Sequence, residues 1–143
     1  MLVPSGDTLC RFIRPRDWSK AQNRPRPSAF KQEGLSVWHK EELLARNVPL
    51  EDLRIEHLAG YGQAHYTTGD FVQLARKASN RTKLPLSVQV VWRPEDEYVA
   101  EPWRQWNYAH VQVETVEEDK EALRVFRQQL SLKAREIIPP DTI

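Results

Sequence analysis

The stretch LPLSVQVVW, Leu84–Trp92, carries the clearest strand signal in this chain. Apolar and polar positions alternate along it, so an extended backbone would place four large residues on one face: Leu86, Val88, Val90 and Trp92. Two β-branched residues stand in that row, and such residues suit a pleated surface. The stretch therefore predicts a strand whose apolar face must be covered by other elements.

The sequence after this strand predicts a partner strand and a long helix. WNYAHVQVE (106–114) alternates in the same way and would pair with the first strand across an acidic loop, RPEDEYVAEP (93–102). An amphipathic helix is predicted over residues 115–138. Thr115 and Glu118 match a capping box at its start. Its apolar stripe is Leu123, Phe126, Leu130 and Ala134.

The sequence before this strand predicts shorter elements. Strands are predicted at TLCRFI (8–13), GLSVWH (34–39) and GQAHYT (62–67), and helical segments at KEELLARN (40–47), PLEDLR (49–54) and TTGDFVQLARKASN (67–80). Thr67 and Asp70 supply a second capping box. The fold class that follows is α+β: a small, mainly antiparallel sheet with helices packed on it and a long C-terminal amphipathic helix. The length predicts a single α+β domain, residues 1–143.

Composition indicates a soluble globular protein of the cytosol. Apolar residues make up 40% and charged residues 29% of the chain. No stretch approaches the roughly 20 apolar residues of a membrane helix, and the N-terminal sequence lacks the pattern of a secretory signal. Cys10 is the only cysteine, and as a strand residue it is expected to be an inert core thiol. No motif for a nucleotide, cofactor or metal is present, so no cofactor and no metal site are predicted.

Charge is unevenly distributed along the chain although the net charge is only +1. Residues 1–40 have a net charge of +5, and residues 91–120 have a net charge of −5. Much of the positive charge lies in a long proline-rich loop predicted over residues 14–34, and long loops in compact domains are often functional. The asymmetry indicates either a basic binding edge or two neighbouring segments that neutralise each other. The second interpretation is the favoured one.

The predicted strand 106–114 would also carry an aromatic row. Trp106, Tyr108 and His110 would lie on one face, with Ala109 and Val111 on the opposite, core-facing side. Such a row could stack a nucleobase or hold a flat ligand. It could equally pack beneath the proline-rich loop, and packing is the favoured interpretation.

The histidines offer the only catalytic hypothesis. His65 and His110 both lie on predicted strands and could converge near Arg11 or Arg14. An imidazole base with a neighbouring arginine is an arrangement suited to phosphodiester cleavage. The favoured alternative is that each histidine is a half-buried strand residue.

Several short segments resemble a group of small stand-alone bacterial proteins. These segments are CRFIRPRDW (10–18), RPSAFK (26–31), GLSVW (34–38) and NYAHVQV (107–113). The group has an early Arg-x-x-x-Pro, a Ser-Ala-Phe segment, a Leu-Ser-Val strand and a late Ala-His strand. The resemblance implies a bacterial cytosolic protein in which the following residues come together: Arg11, Pro15, Ser28, Phe30, Ser36 and His110. It supplies no function.

These observations lead to three hypotheses. The favoured one is a non-catalytic protein-interaction module, a small subunit of a larger bacterial cytosolic assembly, because tryptophan and arginine often anchor interfaces. The alternatives are a nucleic-acid-binding protein and a small histidine-dependent nuclease-type enzyme with candidate residues His110, His65 and Arg11. A protein partner or a nucleic acid, and no membrane, is expected at these binding residues: Arg14, Arg16, Trp18, Arg24, Arg26, Trp103, Trp106, Tyr108 and His110.

Overall fold

A computed structural model of the protein describes residues 1–31, 35–50, 60–94 and 103–141, without the side chains of residues 103–105. The strands of these residues are β1 Thr8–Ile13, β2 Trp18–Ser19, β3 Arg24–Pro25, β4 Leu35–His39, β5 Gly62–Thr67, β6 Leu86–Trp92, β7 His110–Glu118 and β8 Glu136–Ile138. The α-helices are α1 Lys40–Ala45, α2 Thr68–Thr82 and α3 Lys120–Lys133, and 3-10 helices span Pro15–Asp17, Pro27–Phe30 and Trp103–Ala109. The predicted helical segment 49–54 and acidic loop 93–102 lie mostly outside the described residues.

Six of the described strands form one antiparallel sheet in the order β6-β7-β4-β1-β5-β8, and β2 pairs with β3 in a separate small hairpin. Helices α2 and α3 pack against each other and cover one face of the sheet. The predicted α+β class, with a mainly antiparallel sheet and a long C-terminal helix, is confirmed. None of the helices in the described ranges has both the length and the apolar character needed to cross a bilayer.

The helix-covered face holds the main core because the strands alternate as their sequences indicate. Val88 and Val90 of β6, Val111 and Val113 of β7 and Tyr66 of β5 are buried there. The α2 helix begins with the predicted capping box, in which the side chains of Thr67 and Asp70 each accept a hydrogen bond from the other residue's backbone N–H.

The opposite face of the sheet carries a second apolar cluster. Its buried members are Cys10, Phe12, Trp38, Leu43, Leu50, Trp106 and Ala109. They come from the strands β1 and β4, from α1 and the residues after it, and from the 3-10 helix Trp103–Ala109. The sheet is therefore covered on both faces over its central strands.

The predicted boundaries of the C-terminal strand and helix are wrong. Strand β7 continues to Glu118 because its pairing with β6 continues to Leu86, and α3 begins only after Asp119. Asp119 caps that helix through hydrogen bonds from the N–H groups of Glu121 and Ala122. The C-terminal helix also ends at Lys133, and Glu136–Ile138 pairs with β5 as an edge strand instead of extending the helix.

Candidate functional site

Residues 14–31, most of the predicted proline-rich loop, form an ordered segment with two 3-10 helices and a short hairpin. The carboxylate of Asp17, which is buried, accepts hydrogen bonds from Arg14 Nε at 3.0 Å and from Ser28 Oγ at 2.9 Å. Its backbone oxygen accepts from the N–H of Arg26 at 2.7 Å. The indole of Trp18 is buried and donates to Asn23, which takes a positive φ of 49° in the hairpin loop.

The same segment is fixed against the helices and the sheet. Ser131 Oγ of α3 donates to the carbonyl of Pro25 at 2.5 Å, and Arg127 Nε donates to the carbonyl of Phe30 at 3.3 Å. From the sheet, Arg11 donates to the carbonyl of Ala29 through Nε and Nη2. Residues 14–31, α2 and α3 therefore form one continuous side of the molecule, which we call the basic face.

The basic face carries most of the positive charge of the chain. Of its charged residues, thirteen are basic and three are acidic, which gives a net charge of +10. The basic residues are Arg14, Arg16, Lys20, Arg24, Arg26, Lys31, Arg76, Lys77, Arg81, Lys120, Arg124, Arg127 and Lys133. The remainder of the chain contains eight basic and seventeen acidic residues, a net charge of −9. Of these residues, six basic and nine acidic ones have described side chains, a net charge of −3, so the described positive charge is concentrated on the basic face.

The three acidic residues of the basic face are already paired. Asp17 binds Arg14, Glu121 binds Arg124, and Asp70 binds Arg135 just beyond α3. Hydrogen bonds from Arg135 hold the pKa of Asp70 below its ordinary value. Among the described residues, no ion pair joins a basic residue of segment 1–40 to an acidic residue of segment 91–120. The favoured expectation of mutual neutralisation therefore finds no support in the described ion pairs.

A groove of about 620 Å³ lies where the three parts of the basic face meet. Three arginines line it, Arg24 from the hairpin, Arg26 after it and Arg81 from α2, so we call it the arginine groove. The other described residues of its lining are serine, glutamine, proline and leucine, with no carboxylate. Such a lining favours an anionic ligand over a cationic one.

One donor of Arg24, which lines the arginine groove, has no partner among the described residues. Arg24 Nε is fully buried and makes no hydrogen bond to any described residue. Leaving a buried donor unsatisfied costs about 1–3 kcal/mol, and more for a charged group. Arg26 is differently placed, because its Nε donates to the carbonyl of Trp18 at 3.3 Å and the side chain is thereby oriented.

The predicted aromatic row does not exist as a strand face. Residues 103–109 form a 3-10 helix, and β7 starts only at His110. Trp106 and Ala109 are both buried in the second apolar cluster, although the alternation had placed them on opposite faces. Tyr108 is half-buried beneath Arg46, whose guanidinium carbon lies 3.9 Å from the ring centre. Trp103 lies in the same helix, and its side chain is outside the described part.

The predicted binding residues therefore separate into two groups. Arg14, Arg16, Arg24 and Arg26 lie on the basic face, where Trp18 is buried beneath them as a structural anchor. Trp106, Tyr108 and His110 lie on the opposite side of the sheet. Arg81 and the other helix residues of the basic face were missed. The sequence did carry a signal for these residues, because basic residues outnumber acidic ones on both helices. The charge count missed it because it was made over long segments of the chain and not helix by helix.

The catalytic candidates are not brought together. His110 pairs with Trp38, Trp38 with Cys10, and Cys10 with His65 across neighbouring strands, so two strands separate the two histidines. Arg11 shares the helix-covered face with its neighbours Leu9 and Ile13, whereas His110 points to the opposite face. Burial lowers the pKa of the Arg11 guanidinium to about 10, which leaves it cationic at neutral pH.

Each of the two histidines has partners within the fold. His110 Nδ1 lies 3.1 Å from the carbonyl oxygen of Arg93, and Nε2 lies 3.1 Å from Ser36 Oγ. A carbonyl can only accept, so the Nδ1 atom donates and the Nε2 atom of the neutral ring accepts from Ser36. His65 Nε2 lies 2.9 Å from Gln63 Oε1. Both rings are buried. The contacts of His110 link β7 to Ser36 of β4 and to Arg93 after β6, whereas the contact between His65 and Gln63 lies within β5.

The residues implied by the resemblance lie along one hydrogen-bonded path. His110 contacts Ser36 Oγ, and Arg11 Nη1 donates to the carbonyl of Ser36 at 2.9 Å. Arg11 then binds the 3-10 helix Pro27–Phe30, which contains Ser28 and Phe30. Ser28 in turn binds Asp17 beside Pro15. The path crosses the sheet from one face to the other and serves to connect elements of the fold.

One group of side chains has the composition of a cation site. Ligand atoms of Asp7, His39 and Glu41 all lie within 4.8 Å of one another. However, His39 Nδ1 accepts from the N–H of Glu42, so the ring proton is on Nε2, which donates to Asp7 at 2.7 Å. Both ring nitrogens are thereby engaged, and the geometry fits a helix cap better than a metal site.

Comparison with known proteins does not assign this chain to a family. No protein-family model, no curated protein and no solved structure matches this chain.

Proposed function

We propose that this protein is a non-catalytic module that binds nucleic acid through the phosphate backbone, with the basic face as its contact surface. The observation that carries the proposal is the net charge of +10 on residues 14–31, α2 and α3, against −3 on the other residues whose side chains are described. A polyanion is therefore attracted most strongly to the basic face, and this orients its approach.

The form of the basic face favours contacts with phosphates over contacts with bases. Its cations come from three elements, and most of them are exposed, as in Arg16, Lys20, Arg76, Lys77 and Lys133. The aromatic residues Trp18 and Trp106 are buried, so neither supplies a platform for base stacking. Phosphate contacts position a protein on nucleic acid without reading its sequence. We therefore expect weak sequence preference and strong dependence on salt.

The hypothesis of a protein-interaction module remains the main competitor. An acidic protein surface would be attracted to the same face. The two partners differ in their salt dependence, because nucleic acid releases a condensed layer of counterions when its phosphates are neutralised. A folded acidic protein has no such layer of comparable density, so its affinity changes less steeply with salt.

Equilibrium binding to fluorescently labelled nucleic acid tests the proposal. Duplex DNA, single-stranded DNA and RNA of unrelated sequences would be titrated with the full chain, with polyglutamate as the acidic control. We expect the nucleic acids to bind and the affinity for the duplex to fall by about 100- to 1,000-fold between about 50 and 200 mM salt. Failure of every nucleic acid to bind at the lowest salt would contradict the proposal, and tighter binding of polyglutamate would favour a protein partner.

A further inference from the structure

Resting on the proposed function, we infer that the arginine groove is a binding site for a phosphate monoester, the terminal phosphate of a nucleic-acid strand. The basic face attracts the strand as a whole. The groove brings arginines from separate elements of that face into one concavity. It is therefore suited to one localised anionic group.

Arg24 is the residue that indicates a ligand. Its Nε–H is buried in the protein with no acceptor among the described residues, at a position where the groove supplies no carboxylate. The side chain as a whole is half-buried and makes no hydrogen bond to a described residue, so its terminal Nη donors can serve a ligand in the groove. Guanidinium groups present paired donors in a planar fork that matches the oxygens of phosphate.

The neighbouring arginines define the charge that the ligand must carry. The Arg26 side chain is oriented by the bond from its Nε to the carbonyl of Trp18 and makes no other hydrogen bond to a described residue. Arg81, exposed at the end of α2, lines the groove from the other side. Three guanidinium groups without a carboxylate match a monoester, which carries about −1.5 to −2 charges at pH 7 and three terminal oxygens. An internal diester carries one charge and two such oxygens.

The size and remaining lining of the groove fit a strand end. Its volume of about 620 Å³ exceeds that needed by a phosphate alone. Gln22 and Gln128 offer both donors and acceptors to the attached nucleoside, and Leu132, which is 46% exposed, offers an apolar contact. The ligand class is therefore a phosphorylated nucleoside. It can come from the end of a strand or from a free nucleotide, and experiment must distinguish these sources.

The test compares short single strands of one sequence, labelled internally, that carry a 5′-phosphate, a 3′-phosphate or only hydroxyl ends. We expect one phosphorylated end to bind about tenfold or more tightly than the hydroxyl strand, as charge-assisted hydrogen bonds would give. Arg24→Lys keeps the charge but loses the planar fork of guanidinium donors, and it should abolish this preference. Arg46→Lys, an exposed position outside the basic face, is the matched control and should retain it.

A thermal unfolding series completes the test. Inorganic phosphate and a nucleoside monophosphate, compared with chloride at equal ionic strength, should raise the melting temperature of the wild type but not of Arg24→Lys. Equal binding of all strands together with no phosphate-specific shift would overturn the inference and leave the proposed function intact. A phosphate shift that requires Arg24, without binding of any strand, would keep the groove as a site for free nucleotides and overturn its role at strand ends together with the proposed function.

Discussion

Ser28 Oγ donates a hydrogen bond of 2.9 Å to Asp17 Oδ1 and so joins the two 3-10 helices of the basic face. The Asp17 carboxylate is buried, and its other oxygen is bound by Arg14. This contact orders the most basic segment of the chain without contributing any positive charge. A substitution of Ser28 can therefore disturb the shape of the basic face without changing its charge.

Replacement of Ser28 should therefore weaken both stability and binding. Ser28→Ala leaves one oxygen of the buried Asp17 carboxylate without its donor, which should cost about 1–3 kcal/mol of unfolding free energy. Urea denaturation measures this change, and nucleic-acid affinity should fall although no charge is altered. Ser5→Ala, at an exposed position, is the matched control. Equal stability of the two variants would show that the contact does not order the segment.

His110 should behave as a structural residue. Ser36→Ala and His110→Gln each remove the hydrogen bond between β4 and β7, and each should lower the unfolding free energy by about 1–3 kcal/mol. A double-mutant cycle in urea should give a coupling energy of about 0.5–3 kcal/mol between the two positions. Nucleic-acid affinity of the folded variants should not change. Loss of nuclease activity in a stably folded His110→Gln variant would instead support the enzyme hypothesis.

The ion pair between Asp70 and Arg135 should make stability depend on pH in the acid range. The carboxylate accepts from Arg135 Nε at 2.7 Å and from Nη2 at 2.9 Å, and these bonds hold its pKa below the ordinary value of 3.8. As the pH falls, Asp70 is protonated in the unfolded chain before it is protonated in the folded chain. The contribution of the ion pair to the unfolding free energy is therefore fully present above pH 3.8 and is lost as the pH falls through the lower pKa of the folded state.

Unfolding free energies measured from neutral pH down to strongly acidic pH check this expectation. Asp70→Asn should show a shallower loss of stability with acid than the wild type does. Glu117→Gln, at an exposed position on β7, serves as the control and should leave the slope unchanged. Identical slopes for the wild type and Asp70→Asn would contradict the role assigned to the pair.

Cys10 should be protected in the folded protein. The side chain is buried at the centre of β1, and burial raises the pKa of its thiol far above the ordinary value. Because the thiolate is the reactive form, a thiol reagent should label the native protein very slowly and the urea-unfolded protein rapidly. Mass spectrometry of timed samples measures both rates. Rapid labelling of the native chain would show that the second apolar cluster opens readily.

The sequence predicts elements well where the signal is local. The alternation in Leu84–Trp92 identifies β6, and Thr67 with Asp70 identifies the start of α2, because each pattern determines its own structure. The alternation in residues 106–109 wrongly predicts a strand, because these residues form a 3-10 helix. In that helix Trp106 and Ala109, three residues apart, lie on the same side and both join the second apolar cluster. The pairing of Glu136–Ile138 with β5 depends on a distant strand, so local periodicity cannot reveal it.

The candidate site was only partly predictable for the same reason. The cations of residues 14–26 are evident as a basic run, and Arg24 and Arg26 were among the predicted binding residues. Arg81 joins them only because α2 and α3 pack side by side and the β2–β3 hairpin lies against α3. The concentration of positive charge on the basic face likewise becomes visible only once the helices are assigned to one face of the sheet.

The salt dependence of binding to duplex DNA tests the central claim most directly. Arg76 and Lys77 are exposed on α2 without a described hydrogen bond or ion pair, so the variant Arg76→Gln with Lys77→Gln removes two charges and little else. Lys40→Gln removes one charge on the opposite side of the sheet. In a plot of log affinity against log salt concentration, the slope of the double variant should be shallower by about 1 unit for each phosphate contact removed. Lys40→Gln should keep the wild-type slope. An unchanged slope in the double variant, or an equal loss per charge in Lys40→Gln, would contradict the assignment of nucleic-acid binding to the basic face.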